Sequence, residues 1–196
     1  MEANKPGGIL FVLSAPSGTG KTTVANLVLE VVDGLRKTVS HTTRKMRDGE
    51  ESGVDYHFVD EARFRSMIDT GEFVEWAQIF GNYYGTSSRE IESSLARGQD
   101  LLLVIDVQGA ASVRAMDWAQ SCSIFLLPPG MDELERRLVG RGLDSPESIR
   151  IRLEAARGEL SHQGEFDHKV INDQLSRAVE EVENIIQAER HRRRGQ

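Results

Sequence analysis

The sequence contains a single cysteine, Cys122, and lacks both a long hydrophobic run and an excess of positive charge. One cysteine can neither form an internal disulfide nor build a multi-cysteine metal site. The longest apolar runs, Ile9–Leu13 and Leu101–Ile105, are far shorter than the roughly 20 residues that cross a bilayer as a helix. A net charge of −7, from 24 Lys and Arg against 31 Asp and Glu, disfavours binding to nucleic acid or to an anionic membrane. We therefore expect a cytoplasmic protein with neither of these partners.

The remaining composition is that of an ordinary globular chain: 196 residues, 39% hydrophobic and 28% charged, which is enough to bury a sizeable core. Short apolar runs alternate with longer helical stretches; they are Ile9–Leu13, Leu101–Ile105, Ser123–Leu127 and a fourth near Lys169–Asn172. Strands that are apolar throughout are typical of a parallel sheet covered by helices on both faces. The sequence therefore predicts an α/β fold with about five parallel strands flanked by helices.

The segment 40–97 has a different texture, with shorter and more alternating apolar stretches and all three tyrosines. We predict that it forms a small α+β lobe inserted into one domain, whose core comprises residues 1–39 and 98–196. A second polar interruption follows within the segment 137–152.

Local chemistry also predicts where helices begin and end. Asp60 is a suitable N-cap for a helix through Phe64, and Ser87–Glu90 has the pattern of a capping box. The last helix is predicted over about 174–190. The arginines that follow it are expected to form a frayed, solvated end.

A glycine-rich loop lies between the first predicted strand and its helix, which is the context of a Walker A phosphate-binding loop. Gly18 and Gly20 let the backbone turn so that successive N–H groups point inward, and the helix N-terminus adds its dipole. Lys21 can reach the β- and γ-phosphates of a nucleotide, and the Thr22 hydroxyl can bind Mg²⁺. The strict pattern begins with glycine, and Ala15 stands in that place. The predicted ATP-phosphate site comprises Ala15, Pro16, Ser17, Gly18, Thr19, Gly20, Lys21, Thr22 and Thr23.

A second anion site is indicated by Arg44 and Arg47, which lie three residues apart beside several hydroxyl residues. Arginine offers a planar, permanently charged fork that suits a phosphate monoester. Tyr56 and Tyr84 can add phenolic donors. Taken alone, this segment is equally well explained as a solvated basic loop.

Several segments together resemble the guanylate kinases: Ala15–Thr22, Ser40–Arg47, Gly53–Tyr56, Phe73–Ala77, Gly81–Thr86, Ile105–Gly109 and Arg137–Arg152. Their order and spacing match over nearly the whole chain, and this combination is specific although no single piece is. The resemblance implies that the GMP phosphate is bound by Arg44, Arg47, Tyr56 and Tyr84. It implies that the base is recognised by Ser40, Glu75 and Thr86, and that Gly85 and Asp106 belong to the same site.

The chemistry of guanine supports the role implied for Glu75. Guanine presents its N1–H and 2-amino group as adjacent donors, and one carboxylate can accept from both. Adenine would leave that carboxylate buried and unpaired, and sites of this kind discriminate by about 10⁴ or more. Without its flanking pattern, Glu75 would instead be interpreted as an outward-facing strand charge.

The chain departs from the family pattern at Val104, two positions before Asp106, where an acidic residue is usual. A metal–water contact at that position therefore cannot be carried over. We expect Mg²⁺ to depend more on Thr22, the nucleotide phosphates and water, with Asp106 as the remaining nearby carboxylate.

The segment 137–152 resembles the lid that closes over ATP in this family. By that resemblance Arg137, Arg141 and Arg152 meet the transferring phosphates, and Arg47 bridges from the acceptor side. The implied catalytic residues are Lys21, Arg47, Arg141 and Arg152. The implied contacts on the adenine side are Asn172 and Asp173. Some of these arginines are also explained as helix-surface charges paired with glutamates.

The resemblance implies an enzyme that transfers the γ-phosphoryl group of ATP to GMP, and to dGMP, in purine nucleotide metabolism and GMP recycling. One alternative is a binding module of the same fold that docks phosphorylated protein segments. The intact glycines, Lys21 and Thr22 of the phosphate loop argue against it. Another alternative is a kinase for a different nucleotide, and Ser40 with Glu75 argues against AMP. The sequence leaves the oligomeric state open.

Overall fold

The computed structural model of the chain describes residues 7–79, 81–116, 121–140 and 145–194. The strands are β1 Leu10–Ser14, β2 Leu35–Lys37, β3 His41–Thr42, β4 His57–Phe58, β5 Phe73–Ile79, β6 Asn82–Ser87, β7 Asp100–Val104, β8 Ser121–Leu127 and β9 His168–Ile171. The helices are α1 Lys21–Val31, α2 Glu61–Asp69, α3 Ser88–Ala96, α4 Val107–Ala115, α5 Met131–Gly140, α6 Pro146–Ser161 and α7 Leu175–Arg194, with a 3-10 turn at His162–Glu165. None of these helices, within the described residues, is both long and apolar enough to cross a bilayer.

The larger sheet is parallel and has the strand order β2-β7-β1-β8-β9. Strand β1 lies at its centre and is buried along its whole length, because helices cover both faces of the sheet. Phe11 and Leu13 pack with residues of α1 and α7, whereas Leu10 and Val12 pack with residues of α3 and α4. Burial on both faces explains why the strands are apolar throughout, and it confirms the predicted α/β fold.

The second sheet has the order β4-β3-β6-β5 and lies within the segment predicted to form a lobe. Strands β5 and β6 form an antiparallel hairpin, and β3 pairs with the other edge of β6. Helix α2 packs Phe64 and Met67 against Phe73 and Tyr83 of the hairpin. The helix thereby covers one face of the hairpin, while Glu75, Ala77 and Tyr84 of the same two strands line a cavity. The functional division into core, lobe and lid stays a prediction.

Of the two predicted N-terminal helix caps, the one on α2 is confirmed and the one on α3 is wrong. The Asp60 carboxylate accepts a hydrogen bond from the Arg63 N–H at 2.7 Å, which confirms it as the N-cap of α2. Helix α3 begins at Ser88 as expected, but the side chain of Ser87 makes no capping hydrogen bond, so the predicted capping box is wrong. The reason is that Ser87 is buried and belongs to β6, where it pairs with Phe73.

The prediction of a frayed C-terminal end is also wrong, because α7 remains helical to Arg194. The Arg190 guanidinium donates to the buried Asp100 carboxylate at 2.8 Å. Arg193 donates to the carbonyl oxygen of Ser121 at 2.7 Å. These contacts join the helix to the first residues of β7 and β8, and no local sequence pattern announces them.

Gly85 provides a test of this packing. A Cβ at this position would lie 2.9 Å from Phe73 Cδ1 and 3.0 Å from Phe64 Cζ. We expect Gly85→Ala to lower the free energy of unfolding by about 1–3 kcal/mol, as overpacking does. Thermal unfolding measures this, and Gly158→Ala is the matched control because that helical position faces open space. An unchanged Tm for Gly85→Ala would contradict the packing described here.

Candidate active site

Two cavities adjoin at the carboxyl end of the parallel sheet, where α/β folds usually bind ligands. The smaller, of about 340 Å³, is lined by Ala15, Pro16, Ser17, Gly18, Gly20, Lys21, Thr22, Thr23, Asp106 and Glu159. The larger, of about 480 Å³, is lined by Lys21, Thr22, Ala25, Asn26, Lys37, Thr38, Ser40, Asp55, Tyr56, Glu75, Ala77, Tyr84, Val104, Ile105 and Asp106. Lys21, Thr22 and Asp106 line both cavities. A group bound in one cavity therefore lies next to a group bound in the other.

The glycines of the phosphate loop are required both by backbone conformation and by close packing. Gly18 has φ 88° and Gly20 has φ 99°, values that favour glycine. A Cβ on Gly18 would lie 2.9 Å from Leu138 Cδ2, and a Cβ on Gly20 would lie 2.7 Å from Asn172 Nδ2. Ala15, in contrast, is buried in the main core, where a small side chain is accommodated.

A hydrogen-bonded support lies behind the loop. The Thr19 carbonyl oxygen accepts from Asn172 Nδ2 at 2.8 Å and from Arg137 Nη1 at 3.3 Å. Arg137 Nη2 also donates to the carbonyl oxygen of Asn172 at 2.9 Å. Both side chains were expected to contact ATP, and the structure shows that they hold the loop. Sequence reasoning missed this support because its partners lie far apart along the chain.

Lys21 occupies the junction of the two cavities. Its ammonium donates a hydrogen bond to the Ile105 carbonyl oxygen at 2.7 Å, just beyond the end of β7. Burial lowers the pKa of Lys21, and the nearby carboxylates of Asp106, Glu159 and Glu75 oppose that shift. The carboxylates thus favour the charged ammonium that a phosphate site requires.

Asp106 is fixed at the same place by its own helix. It is the N-cap of α4, and its Oδ1 accepts the N–H of Gly109 at 2.8 Å. The carboxylate therefore has a defined orientation beside Lys21 and Thr22.

The oxygen donors at the junction suit Mg²⁺. Across the described parts of the chain, no three His, Cys, Asp or Glu residues are grouped to hold a metal by themselves. The Thr22 hydroxyl and the Asp106 carboxylate line the same cavity, and Mg²⁺ prefers such hard oxygen ligands together with phosphates and water. Val104 lines the larger cavity and offers no oxygen from its side chain.

The three predicted base-reading residues are connected by hydrogen bonds. Thr86 Oγ1 donates to Glu75 Oε1 at 2.7 Å, and it lies 3.1 Å from Ser40 Oγ. Because the single Thr86 proton is directed at the carboxylate, Ser40 is the donor to Thr86. Glu75 and Thr86 are paired across β5 and β6, so the hairpin itself sets this geometry.

The Glu75 carboxyl group is perturbed by its surroundings. Burial raises its pKa, and the negative charge of Asp106 adds to that shift. The hydrogen bond from Thr86 and the charge of Lys21 act in the opposite direction. The net result is a half-buried carboxylate that has a raised pKa although Thr86 donates to it, and that lines the larger cavity, which is the arrangement expected of a ligand-reading group.

Arg44 is positioned beside the two tyrosines of the larger cavity. Its guanidinium lies 5.4 Å from the centroid of the Tyr56 ring and also interacts with the Tyr84 hydroxyl. Arg44 Nη2 donates to Glu50 Oε1 at 2.6 Å, and Glu50 Oε2 accepts the backbone N–H of Arg47 at 2.8 Å. The sequence pattern did not single out Glu50, which ties these two arginine positions together.

The other predicted site residues are less closely gathered. The Arg47 side chain is exposed, and Arg152 is half-buried on α6. Asp173 accepts from the N–H of Gln174 and from Arg177 at the start of α7, and it is not among the residues that line the two cavities. Arg141 lies outside the described residues. The roles expected for these residues stay predictions.

The chain is similar to known proteins over nearly its whole length. The sequence profile of the family described as Guanylate kinase matches residues 8–189. The guanylate kinase of Dechloromonas aromatica (strain RCB) is 50% identical over 181 residues, which cover 92% of this chain and 89% of that protein. The guanylate kinase of Methylobacillus flagellatus is 50% identical over 189 residues, covering 96% of this chain and 93% of that one.

Solved structures show the same likeness. The crystal structure of guanylate kinase from Anaplasma phagocytophilum has a TM-score of 0.72 and 39% identity, covering 94% of this chain and 87% of that chain. The shikimate kinase of Bacteroides thetaiotaomicron has a TM-score of 0.52 at 13% identity, covering 91% and 98% of the two chains, and is similar in fold alone.

The raised pKa of Glu75 makes a prediction about stability. The folded protein holds this proton more tightly than the unfolded chain, so stability falls as the pH rises from the unfolded-state pKa through the raised folded-state pKa, and the loss is complete above the latter. Glu75→Gln should therefore raise Tm at neutral pH, and about 1 kcal/mol corresponds to roughly 2–4 °C in a domain of this size.

The difference in Tm between Glu75→Gln and the wild type should vanish below the ordinary glutamate pKa of about 4.3, because the carboxyl group is then protonated in both the folded and the unfolded protein. Thermal unfolding across this pH range is the measurement, and the exposed Glu92→Gln is the control. A lower Tm for Glu75→Gln at neutral pH would show that the charged form stabilises the fold, against this account.

Proposed function

The chain belongs to the guanylate kinase family, and we propose that its two adjoining cavities hold the two substrates of the reaction. The enzyme transfers the γ-phosphoryl group of ATP to GMP, giving ADP and GDP. In our proposal the smaller cavity binds the ATP phosphates and the larger cavity binds GMP.

The observation that carries this proposal is the junction formed by Lys21, Thr22 and Asp106, which line both cavities. Phosphoryl transfer needs the acceptor oxygen and the γ-phosphorus close together and in line. Two separate cavities that share these residues supply that proximity. No general base is required, because the acceptor is already an anionic phosphate oxygen.

The recognition of the acceptor follows from the larger cavity. Glu75 accepts from guanine N1–H and the 2-amino group, while Ser40 and Thr86 keep the carboxylate in place. Arg44, Tyr56 and Tyr84 bind the phosphate of GMP. The proposal extends to dGMP, because the sequence presents no obvious reader of the ribose 2′-hydroxyl.

Charge neutralisation is the main catalytic contribution of the chain. Lys21 binds the β- and γ-phosphates, and Thr22, with nucleotide phosphates and water, holds Mg²⁺. Bound there, Mg²⁺ would neutralise phosphate charge. Arg47, Arg137, Arg141 and Arg152 are the proposed arginines of the closed state, in which water is excluded. Arg137 would take this role while its guanidinium donates to the Thr19 carbonyl oxygen.

A phosphopeptide-binding module of the same fold is less well supported. Such a module needs only the acceptor cavity, whereas this chain retains Gly18, Gly20, Lys21 and the supports behind its phosphate loop. A cytoplasmic location, the lack of a nucleic-acid partner and a place in purine metabolism remain predictions.

The acceptor specificity tests this proposal. ADP release from ATP and Mg²⁺ is measured with GMP, dGMP, AMP, CMP and UMP as acceptors. We expect turnover with GMP and dGMP, and a fall in kcat/KM for GMP of about 100-fold or more in Glu75→Gln, since hydrogen bonds to a charged group contribute about 1.5–3 kcal/mol each. The wild-type kcat/KM for GMP should also fall as the pH drops through the raised pKa of Glu75, and this dependence should be absent in Glu75→Gln.

Lys21→Ala is the companion variant. It should abolish transfer to every acceptor without changing which nucleotide monophosphate binds in the larger cavity, as measured by calorimetry. Unchanged selectivity in Glu75→Gln, or full turnover in Lys21→Ala, would refute the corresponding role.

A further inference from the structure

Glu159 contacts the phosphate loop although it lies 142 residues from it in the chain. Its Oε2 accepts a hydrogen bond from the backbone N–H of Ser17 at 3.2 Å. The side chain is half-buried and lines the smaller cavity with the loop. No motif in the sequence indicates this residue, and the reaction as described above gives it no role.

The carboxylate lies within the electrostatic field of the site. Burial raises the pKa of Glu159, while the Ser17 hydrogen bond and the charge of Lys21 lower it. In return, Glu159 favours the charged form of Lys21. A carboxylate that accepts a backbone N–H makes a stronger bond than a neutral acceptor does. The contact is therefore suited to fixing a loop in one position.

Glu159 also belongs to the helix pair that packs on the loop. Ala156, one turn earlier on α6, is buried against Leu134 and Leu138 of α5. Those leucines lie within 3.0 Å of the position that a Gly18 Cβ would take. The α5–α6 pair therefore meets the loop twice, through apolar contact at Gly18 and through a hydrogen bond at Ser17.

The same helix carries one of the arginines proposed for catalysis. Arg152 precedes Glu159 by seven residues, which is about two turns, so the two residues share one face of α6. Any shift of α6 relative to the loop would displace both groups together. A fixed distance between α6 and Ser17 therefore fixes the position of Arg152 relative to bound phosphates.

We propose that Glu159 is a positioning residue, which holds the Ser17 end of the phosphate loop against α6 so that the γ-phosphate of ATP is aligned for transfer. The inference rests on the proposed function, in which this loop binds ATP. Glu159 uses the Ser17 N–H and leaves the first N–H groups of α1, which have no partner within that helix, for the phosphates.

The test compares variants that separate the hydrogen bond from the charge. Glu159→Gln keeps an oxygen that can accept from Ser17 but has no charge, whereas Glu159→Asp keeps the charge and shortens the reach. Glu159→Ala removes both. Glu154→Ala is the control, because Glu154 is exposed on the same helix.

Kinetics are measured with ATP varied at saturating GMP and then with GMP varied at saturating ATP. We expect Glu159→Ala and Glu159→Asp to lower kcat/KM for ATP by about 10- to 100-fold, the effect of one charge-assisted hydrogen bond. The KM for GMP should stay unchanged. Glu159→Gln, which keeps a neutral acceptor for the Ser17 N–H, should recover part of the loss, and Glu154→Ala should match the wild type.

Three results would overturn the inference. The first is wild-type ATP kinetics in Glu159→Ala. The second is a loss in Glu159→Gln as large as in Glu159→Ala, which would assign the effect to charge. The third is tighter ATP binding in Glu159→Ala by calorimetry, which would make Glu159 a competitor of the phosphates. Thermal unfolding is measured on the same variants. Equal Tm values for Glu159→Gln and Glu159→Asp show that their kinetic difference does not come from a folding defect. A wild-type protein that transfers no phosphoryl group would instead refute the function itself.

Discussion

The half-buried ammonium of Lys21 is the group on which the rest of the site depends. Its position is set by the Ile105 carbonyl oxygen, at the end of a strand whose register with β1 is fixed by burial on both faces. Its charge is favoured by carboxylates from three separate elements: β5, the N-cap of α4, and α6. The core sheet, the inserted hairpin and the α5–α6 pair therefore converge on one cation. A cation held in this way can contact groups bound in both cavities, since Lys21 lines each of them.

Recognition of the acceptor lowers stability to gain specificity. Glu75 is half-buried, its pKa is raised, and the hydrogen bonds recorded above for its carboxylate come from a single neutral neighbour, Thr86. A buried carboxylate with few donors is unfavourable in the free protein. Because the carboxylate has few donors, binding of a ligand with two adjacent donors is favourable, and binding of a ligand without them is unfavourable. Stability and selectivity are thus opposite consequences of one environment.

The sequence predicted those features that local chemistry determines. The strands were recognisable because both faces of the sheet are covered, and the phosphate loop was recognisable because Gly18 and Gly20 must adopt positive φ. Ser40, Thr86 and Glu75 were expected to act together on the base, although the order of the hydrogen bonds between them was not predicted. Contacts between distant segments were missed, namely Glu159 with Ser17 and Asn172 with Thr19. The ordered C-terminal arginines were missed for the same reason, since Asp100 is 90 residues from Arg190.

The most direct test of the account is whether one molecule can occupy both cavities through the shared junction. The probe is adenosine joined to guanosine, 5′ to 5′, by five phosphates, and its binding is measured by calorimetry and by inhibition. We predict that one molecule binds per chain and competes with both ATP and GMP. Its affinity should be at least about 100-fold higher than that of the analogue carrying a second adenosine, because that analogue cannot make the Glu75 contacts. Competition with ATP alone, or equal affinity for the two probes, would contradict the central claim that Lys21 joins an ATP site to a guanine-reading site.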